Sequence, residues 1–485
     1  MALEAVIGLE CHIQLATRTK MFCECPAEFG AAPNSNVCPV CLGLPGALPS
    51  TNAAAVDAAL RIGVTLGCSI RAESVFARKN YFYPDMPKNY QITQYDQPLC
   101  DGGALPVTVD GAERRFDLIR IHVEEDTGKS FHPERHGDRP ISRVDFNRAG
   151  VPLLELVTQP IFRRPSEAAA FLSTLRRLVR WLGISDGDME KGHLRCDANV
   201  SLRLVGEESL GTKTEIKNLN SIKGVEKGLT AEIARQRRVI ETGGRIEQAT
   251  LLYDADHDKL AVMRSKEHAH DYRYFPEPDL PLLRVSEAMI AEAVARLPEV
   301  PWVAEKRLMV EHAIAPGVAQ VVCEDRQYVE MFEELVQKGV PARAAGNWIA
   351  NVVLGHLNQR GMTVDEFRTR VPIELLARLL LRVESEVVTA TAAKRLLEEV
   401  LEQGADPGTL FVTGGTALSS ADDLLPLVRA AIDENPGPVA QYLGGKAATL
   451  GFLVGQVMKK SGGQAVPYTV RELLEAELAK RSPSR

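Results

Sequence analysis

The sequence lacks the features that mark membrane and nucleic-acid-coating proteins. No apolar run approaches the about 18 residues that a membrane-spanning helix needs, and no signal peptide precedes Ala5. Basic residues are not in excess: 57 Lys and Arg stand against 64 Asp and Glu, a formal net charge of −7. This balance excludes a protein that coats nucleic acid by bulk charge, although it leaves room for a local basic patch. We therefore expect a cytoplasmic protein that does not enter the membrane.

The chain also lacks a P-loop, although Gly128-Lys129-Ser130 resembles the end of one. A P-loop has a second glycine five positions before Gly128, where this sequence has Val123. In a cytoplasmic protein the nine cysteines are expected to be free thiols or metal ligands rather than disulfides.

The composition is that of an ordinary globular protein, with 45% hydrophobic and 25% charged residues. A length of 485 residues suggests about three domains. Residues 1–284 are rich in predicted strands, the periods in 285–404 are helical and suggest about five helices, and a linker at Gly404–Gly408 leads to a small helical region, 405–485. The fold class predicted from this order is α+β.

The first predicted strand, Ala5–Leu15, alternates strictly between apolar and polar residues. Its polar face carries Glu10 and His12, two positions apart, so that one ion or substrate can touch both. The alternative is a half-buried strand with a wet polar face.

Two close cysteine pairs follow this strand, Cys23 with Cys25 and Cys38 with Cys41, separated by twelve residues. Such pairs match a tetrahedral structural zinc site, and four protein ligands leave no open position for catalysis. The alternative is four unrelated thiols.

Several later strands also present polar faces. Three carboxylates end one strand, at Glu124, Glu125 and Asp126, and hard cations such as Mg²⁺ take oxygen ligands; the alternative is a solvated charge run. Two more faces contain the following charged residues: Arg195, Asp197, Glu215 and Lys217. A sheet of such strands is expected to be the floor of a polar cleft for a cation and a polyanion.

Residues 78–95 lack a clean period and combine Lys79 and Lys88 with four tyrosines. Irregular segments of this chemistry often line sites; the alternative is a well-packed loop.

Together these motifs resemble the B subunits of bacterial tRNA-dependent amidotransferases, over almost the whole chain. The motifs that carry the resemblance are Ile7–His12, the cysteine pairs, Asn80–Gln91, His122–Gly128, Leu194–Ser201, Glu215–Ser221, Asp271–Leu280 and Gly451–Met458. Two positions depart from the family: His193 stands in place of the usual serine, and Ala249-Thr-Leu-Leu252 replaces a Glu-Thr-Arg run, which weakens a phosphate contact around Leu251.

The resemblance implies an antiparallel-sheet cradle domain like the catalytic domain of glutamine synthetase, then a helical domain and a tail domain that associates with tRNA. It implies an enzyme that uses ATP to phosphorylate the side-chain carboxylate of Glu-tRNA(Gln) or Asp-tRNA(Asn). Ammonia from the A subunit then displaces the phosphate. The implied partners are the A and C subunits, misacylated tRNA bound through the helical and tail domains, and an aminoacyl-tRNA synthetase in a larger complex.

The residue chemistry agrees with this reaction, because phosphoryl transfer mainly needs positioning and neutralisation by Mg²⁺. The expected magnesium cluster is Glu10, His12, Glu124, Glu125, Asp197 and Glu215. The side chains expected to hold ATP phosphates are Arg195, Lys217 and Lys79. In an alternative role, Lys79 and Glu125 handle the incoming ammonium.

Two other functions compete with this interpretation. A non-catalytic tRNA-binding scaffold would leave the chemistry to a partner, and ATP hydrolysis stimulated by the misacylated tRNA would distinguish the two. A zinc hydrolase fits poorly, because the four-cysteine site is closed and the histidines and carboxylates lack a compact three-ligand motif.

Overall fold

The computed structural model describes residues 2–136, 139–254, 257, 259–265, 271–413 and 421–481. The chain divides into two compact units, Met1–Val300 and Pro301–Arg485. The finer division of the helical part at residue 404 stays a prediction.

Among the residues that the structure describes, the strands lie in the first unit. Their bounds are β1 (Leu3–Gln14), β2 (Ser69–Ile70), β3 (Glu73–Ser74), β4 (Ala77–Asn80), β5 (Tyr90–Thr93), β6 (Cys100–Asp101), β7 (Ala104–Val109), β8 (Ala112–Glu125), β9 (Lys129–His136), β10 (Arg139–Asp145), β11 (Pro152–Thr158), β12 (Leu194–Leu204), β13 (Thr214–Leu219), β14 (Ala249–Asp254), β15 (Lys259–Ser265), β16 (Phe275–Pro276) and β17 (Leu283–Arg284).

One large sheet runs in the order β15-β14-β13-β12-β1-β11-β8-β6-β2, with β7 also paired to β8. Its strand pairs are antiparallel except for β13 with β14. Small sheets join β16, β4 and β5, β9 and β10, and β3 and β17. The strand β1 lies in the middle of the large sheet, so the polar faces of its neighbours line up with its own.

In its described residues the first unit has four helices: α1 (Ala53–Thr65), α2 (Pro165–Trp181), α3 (Ile222–Glu241) and α4 (Glu287–Ala295). Helices α2 and α3 pack beside each other and bury apolar stripes that include Leu172, Leu175 and Leu229. The sequence Pro165-Ser166 suggests Ser166 as the N-cap of α2, but in the structure Pro165 is the first helical residue and Arg164 is the N-cap. The Glu167 carboxylate accepts hydrogen bonds from the backbone amides of Arg163 at 2.8 Å and Arg164 at 3.4 Å, which supports this earlier start.

In its described residues the second unit consists of helices joined by turns and loops. Its helices are α5 (Pro301–Glu311), α6 (Pro316–Val322), α7 (Arg326–Gln337), α8 (Ala342–Trp348), a π-helical segment (Ile349–Val353), α9 (Leu354–Arg360), α10 (Val364–Arg370), α11 (Ile373–Glu384), α12 (Ala390–Gln403), α13 (Pro407–Thr413), α14 (Ala421–Glu434), α15 (Pro436–Leu443), α16 (Thr449–Lys460) and α17 (Pro467–Lys480).

The described part of 286–403 therefore holds nine α-helices rather than about five, because glycine and proline breaks cut the periodic segments into short pieces. Helices α14 to α17 share a core around Val428, Leu453 and Leu474. In the parts of the chain that are described, no helix has both the length and the hydrophobicity of a membrane span. A sheet-rich unit followed by helices confirms the predicted α+β class.

Candidate active site

The predicted strand at Ala5–Leu15 is the centre of the site. In β1 the apolar positions are buried and Glu10 and His12 are partly exposed on the other face. On one side Glu10 lies opposite Asp197 of β12, and on the other His12 lies opposite Glu155 of β11. The neighbouring strand β8 in turn brings His122 opposite Glu155.

Four side chains on β1, β8 and β11 form a compact histidine–carboxylate cluster: His12, His122, Glu124 and Glu155. The His12 Nε2 lies 3.6 Å from Glu124 Oε1 and 3.4 Å from Glu155 Oε2. The His122 Nε2 lies 3.5 Å from an oxygen of each carboxylate. Ligand atoms of His12, Glu124 and Glu155 all lie within 4.8 Å of one another. One imidazole and two carboxylates at this spacing fit a divalent cation. The cluster is accessible from solvent on the side of His12, whose side chain is 22% exposed.

The charges of this cluster stabilise one another. Burial lowers the pKa of each histidine, but the two carboxylates outweigh it, so that the pKa of His12 is raised and that of His122 rises to about 9. Burial raises the pKa of Glu124 and Glu155, but the histidines outweigh this effect and lower both. A bound cation would replace protons on the imidazoles, because metal ligation requires the neutral ring.

A second charged group lies beside this cluster, on strands β1, β12 and β13. The Lys217 Nζ lies 2.5 Å from Asp197 Oδ2 and 3.2 Å from Glu215 Oε1. Glu10 accepts a hydrogen bond of 2.9 Å from the Asn199 amide. Burial, followed by the charges of neighbouring carboxylates, raises the pKa of Glu10. The group therefore concentrates negative charge around one ammonium.

Arg195 pairs with Asp126, which directly follows β8. Its Nη2 donates to Asp126 Oδ2 at 2.8 Å, and Arg148 Nε lies 3.5 Å from the same oxygen. Burial raises the pKa of Asp126, but Arg195 and then Arg148 outweigh it and lower the value. Arg195 thus remains near the cluster as a positioned cation.

Lys79 lies on β4, over the ring of Tyr272 at 5.0 Å. Burial lowers the pKa of Lys79, but the negative charge of Glu124 and further neighbours outweighs it and raises the value. Lys79 is therefore protonated at neutral pH and faces the carboxylates of the cluster.

Glu125 is not brought to the cluster, because successive residues of a strand point to opposite faces. Its carboxylate pairs with Lys88 and accepts a hydrogen bond of 2.9 Å from the Ile92 amide. This side of β8 lines a cavity with Cys23 and Cys41. Glu125 therefore lies apart from Glu124 in this geometry, and its expected place among the magnesium ligands stays a prediction.

The four predicted cysteines do converge: the sulfurs of Cys23, Cys25, Cys38 and Cys41 all lie within 4.8 Å of one another. The Cys38 amide donates to Cys41 Sγ at 3.1 Å, and the fully buried Lys20 ammonium lies 3.7 Å from the same sulfur. The Cys23 thiol, the Cys38 amide and Lys20 outweigh burial and lower the pKa of Cys41. This donor set, with thiolate-stabilising groups around it, fits a structural zinc ion.

The residues that the sequence analysis missed are Glu155 and the ligand-like role of His122. Glu155 lies among Leu154, Leu156 and Val157 in a strand that reads as buried. The presence of a carboxylate in that apolar run was the one sequence signal that Glu155 has a role in the site, because buried carboxylates need partners. The two departures from the family pattern lie away from the cluster: His193 pairs with Asp186 at 2.8 Å, and Leu251 is buried.

Comparison with known proteins gives a consistent result along the chain. Residues 5–291 match the family described as GatB/GatE catalytic domain, and residues 330–478 match the family described as GatB domain. The B subunit of the aspartyl/glutamyl-tRNA(Asn/Gln) amidotransferase of Chlorobium chlorochromatii is 46% identical over 479 residues, which are 99% of this chain and 100% of the relative. The corresponding protein of Carboxydothermus hydrogenoformans, which has the same description, is 45% identical, over 98% of this chain and 99% of its own length. That of Halorhodospira halophila is 45% identical over 99% of both chains. The chain belongs to the family of amidotransferase B subunits.

Proposed function

We propose that this chain is the ATP-dependent amidating subunit of a tRNA-dependent amidotransferase. Its substrates are Glu-tRNA(Gln), Asp-tRNA(Asn) or both, and its products are the corresponding Gln-tRNA(Gln) and Asn-tRNA(Asn). The relatives that match along their whole length carry this activity in their names. Within the molecule, the convergence of His12, Glu124 and Glu155 on one face of the sheet is the observation that carries the proposal.

The reaction needs a leaving group, because a carboxylate is a poor acyl donor. The side-chain carboxylate of the amino acid attacks the γ-phosphorus of ATP and ADP departs. Ammonia then attacks the acyl carbon, a proton is lost, and inorganic phosphate leaves. His12, Glu124 and Glu155 would hold Mg²⁺, which neutralises phosphate charge when bound.

The cations of the cleft have separate tasks in this proposal. Arg195 and Lys217 orient the phosphates from the β12–β13 side, since a guanidinium held by Asp126 keeps its remaining N–H groups in a fixed direction. The raised pKa of Lys79 favours holding an anion over taking a proton from ammonium. Glu10, Asp197 and Glu215 form the second acidic group and set the position of Lys217.

Glu125, on the other face of β8 with Lys88, is assigned to the path of ammonium rather than to the cation. The four-cysteine site would hold zinc that fastens residues 20–41 beside β8 and takes no part in the reaction. We expect a complex with A and C subunits, an association with tRNA and with an aminoacyl-tRNA synthetase, and a cytoplasmic location.

The test is amidation by the complex reconstituted with A and C subunits, assayed on both misacylated tRNAs with Mg²⁺ titrated. Glu124→Gln should abolish amidation and spare glutamine hydrolysis by the A subunit. Glu113→Gln, on an exposed position of the same strand, is the matched control. If Glu124→Gln amidates as fast as the control, the proposal fails. That result would favour the alternative in which this chain is a non-catalytic tRNA-binding scaffold and a partner carries out the chemistry.

A further inference from the structure

Four tyrosines form a continuous aromatic group beside the histidine–carboxylate cluster. Tyr95 and Tyr274 are stacked, with ring centroids 4.1 Å apart and planes within 5°. Tyr272 meets Tyr274 edge-on at 6.0 Å and Tyr81 edge-on at 6.1 Å. We call the stacked pair with Tyr272 behind it the tyrosine platform.

The first half of the platform is fixed by buried side chains. Tyr95 directly follows Thr93 and Gln94, both buried. The Thr93 hydroxyl donates to Glu124 Oε2 at 3.0 Å, and the Gln94 Oε1 accepts the Val123 amide at 3.0 Å. The two residues that precede Tyr95 are therefore tied to β8 by hydrogen bonds, one of them to Glu124 of the cluster.

The second half is fixed by β4. The Asn80 amide donates to the Tyr272 carbonyl at 2.9 Å, and its side chain donates to the Arg273 carbonyl at 2.8 Å. Arg273 has a φ of 44°, unusual for a residue with a side chain, so the turn between Tyr272 and Tyr274 is imposed by its surroundings.

The outer ring of the platform is open. Tyr95 remains 53% exposed although one face is stacked on Tyr274, and Arg273, which precedes Tyr274 in the chain, is also exposed. Proteins stack the bases of single-stranded nucleic acid on exposed aromatic faces of this kind.

Resting on the proposed function, we propose that the tyrosine platform binds the 3′-terminal nucleobase of the misacylated tRNA by stacking on Tyr95. The amino acid is esterified to the ribose of that nucleotide. When its carboxylate reaches Glu124 and Glu155, the base is tethered beside the cluster through the ester and the ribose. The platform adjoins the cluster, because Thr93, two residues before Tyr95, is hydrogen-bonded to Glu124.

The adenine of ATP is the competing occupant of the platform, because Lys79, which is also expected to hold an anion, lies 5.0 Å from the Tyr272 ring. Lys217 lies on β13, which β12, β1 and β11 separate from β8 in the sheet. We assign the platform to tRNA because the terminal base is covalently joined, through ribose and ester, to the carboxylate that must reach the cluster. The separate KM values for tRNA and ATP distinguish the two occupants.

The experiment uses the complex with A and C subunits and measures KM for misacylated tRNA and for ATP separately. Tyr95→Ala should raise KM for tRNA roughly 5- to 100-fold, as expected for one stacked base, with KM for ATP and glutamine hydrolysis unchanged. Tyr95→Phe retains the ring and should stay within about twofold of wild type. Phe82→Ala removes an exposed aromatic ring outside the platform and should leave both KM values unchanged.

A binding arm tests the same point without amidation: deacylated tRNA is compared with tRNA that lacks its terminal adenosine. Wild type should bind the intact form more tightly, and Tyr95→Ala should bind both equally. The proposal is overturned if Tyr95→Ala changes nothing, if only KM for ATP rises, or if the variant loses the A subunit. If wild type amidates neither tRNA, the proposed function fails, and the terminal-adenosine comparison still decides the platform.

Discussion

Replacing Glu155 by Gln perturbs the histidine–carboxylate cluster without changing its shape. Glu155 lies 3.4 Å from His12 and 3.5 Å from His122, so the substitution removes one of the two negative charges that hold both imidazoles. Because an amide is nearly the same size as a carboxylate, the effect is electrostatic.

The magnitude follows from the pKa of His122, which rises from its ordinary value of 6.5 to about 9. That rise corresponds to about 3 kcal/mol of unfolding free energy in the metal-free protein. It is fully present below pH 6.5 and is lost as the pH rises through 9. At the acid end a separate contribution, which Glu155 makes through its own lowered pKa, is lost as the pH falls below 4.5. Glu155 supplies the larger charge effect on His122, so Glu155→Gln should cost about 1.5 kcal/mol at pH 6 and almost nothing above pH 9.

The assay is chemical denaturation in EDTA at pH 6 and pH 9.5, together with an NMR titration of His122. We expect a pH-dependent cost for Glu155→Gln and a lower pKa for His122, whereas Glu113→Gln changes neither. Mg²⁺ should stabilise wild type and not Glu155→Gln, because a ligand that binds only the folded state raises its stability. A cost that is equal at both pH values would refute this account of the cluster.

Three further outcomes are expected. Chelation of Mg²⁺ should stop amidation by the complex and spare glutamine hydrolysis, when both activities are measured in parallel; loss of both activities would contradict this expectation. Cys41→Ser should abolish bound zinc by metal analysis and lower the unfolding midpoint, yet retain more amidation activity than Glu124→Gln; full zinc content would count against the site. Replacing the exposed Lys446 and Lys459 by Ala should weaken tRNA binding and reduce its salt slope by about 2 in filter-binding assays; an unchanged slope would remove this contact.

Much of the site is encoded in local alternation and was predictable. The period of two in β1, β12 and β13 placed Glu10, His12, Asp197 and Glu215 on one face, and the structure has them on adjacent strands. Cysteine spacing likewise predicted the four-sulfur group, because chelating pairs need little chain to close.

What alternation did not reveal depends on tertiary pairing. Glu155 belongs to a strand in which most residues are apolar and buried, so its run of leucines hides the polar face. The separation of Glu124 from Glu125 was implicit in the strand period, but treating three successive carboxylates as one cluster overlooked it. Cross-strand order, which decides that His122 faces Glu155, comes only from the sheet.

The most direct test supplies ammonium in place of glutamine, so that the A subunit's glutaminase is bypassed. With ATP, Mg²⁺ and a misacylated tRNA, the wild-type complex should form Gln-tRNA(Gln) or Asn-tRNA(Asn). The complex with Glu124→Gln should form neither. Amidation at the wild-type rate by that variant would contradict the claim that this cluster on the sheet carries the chemistry.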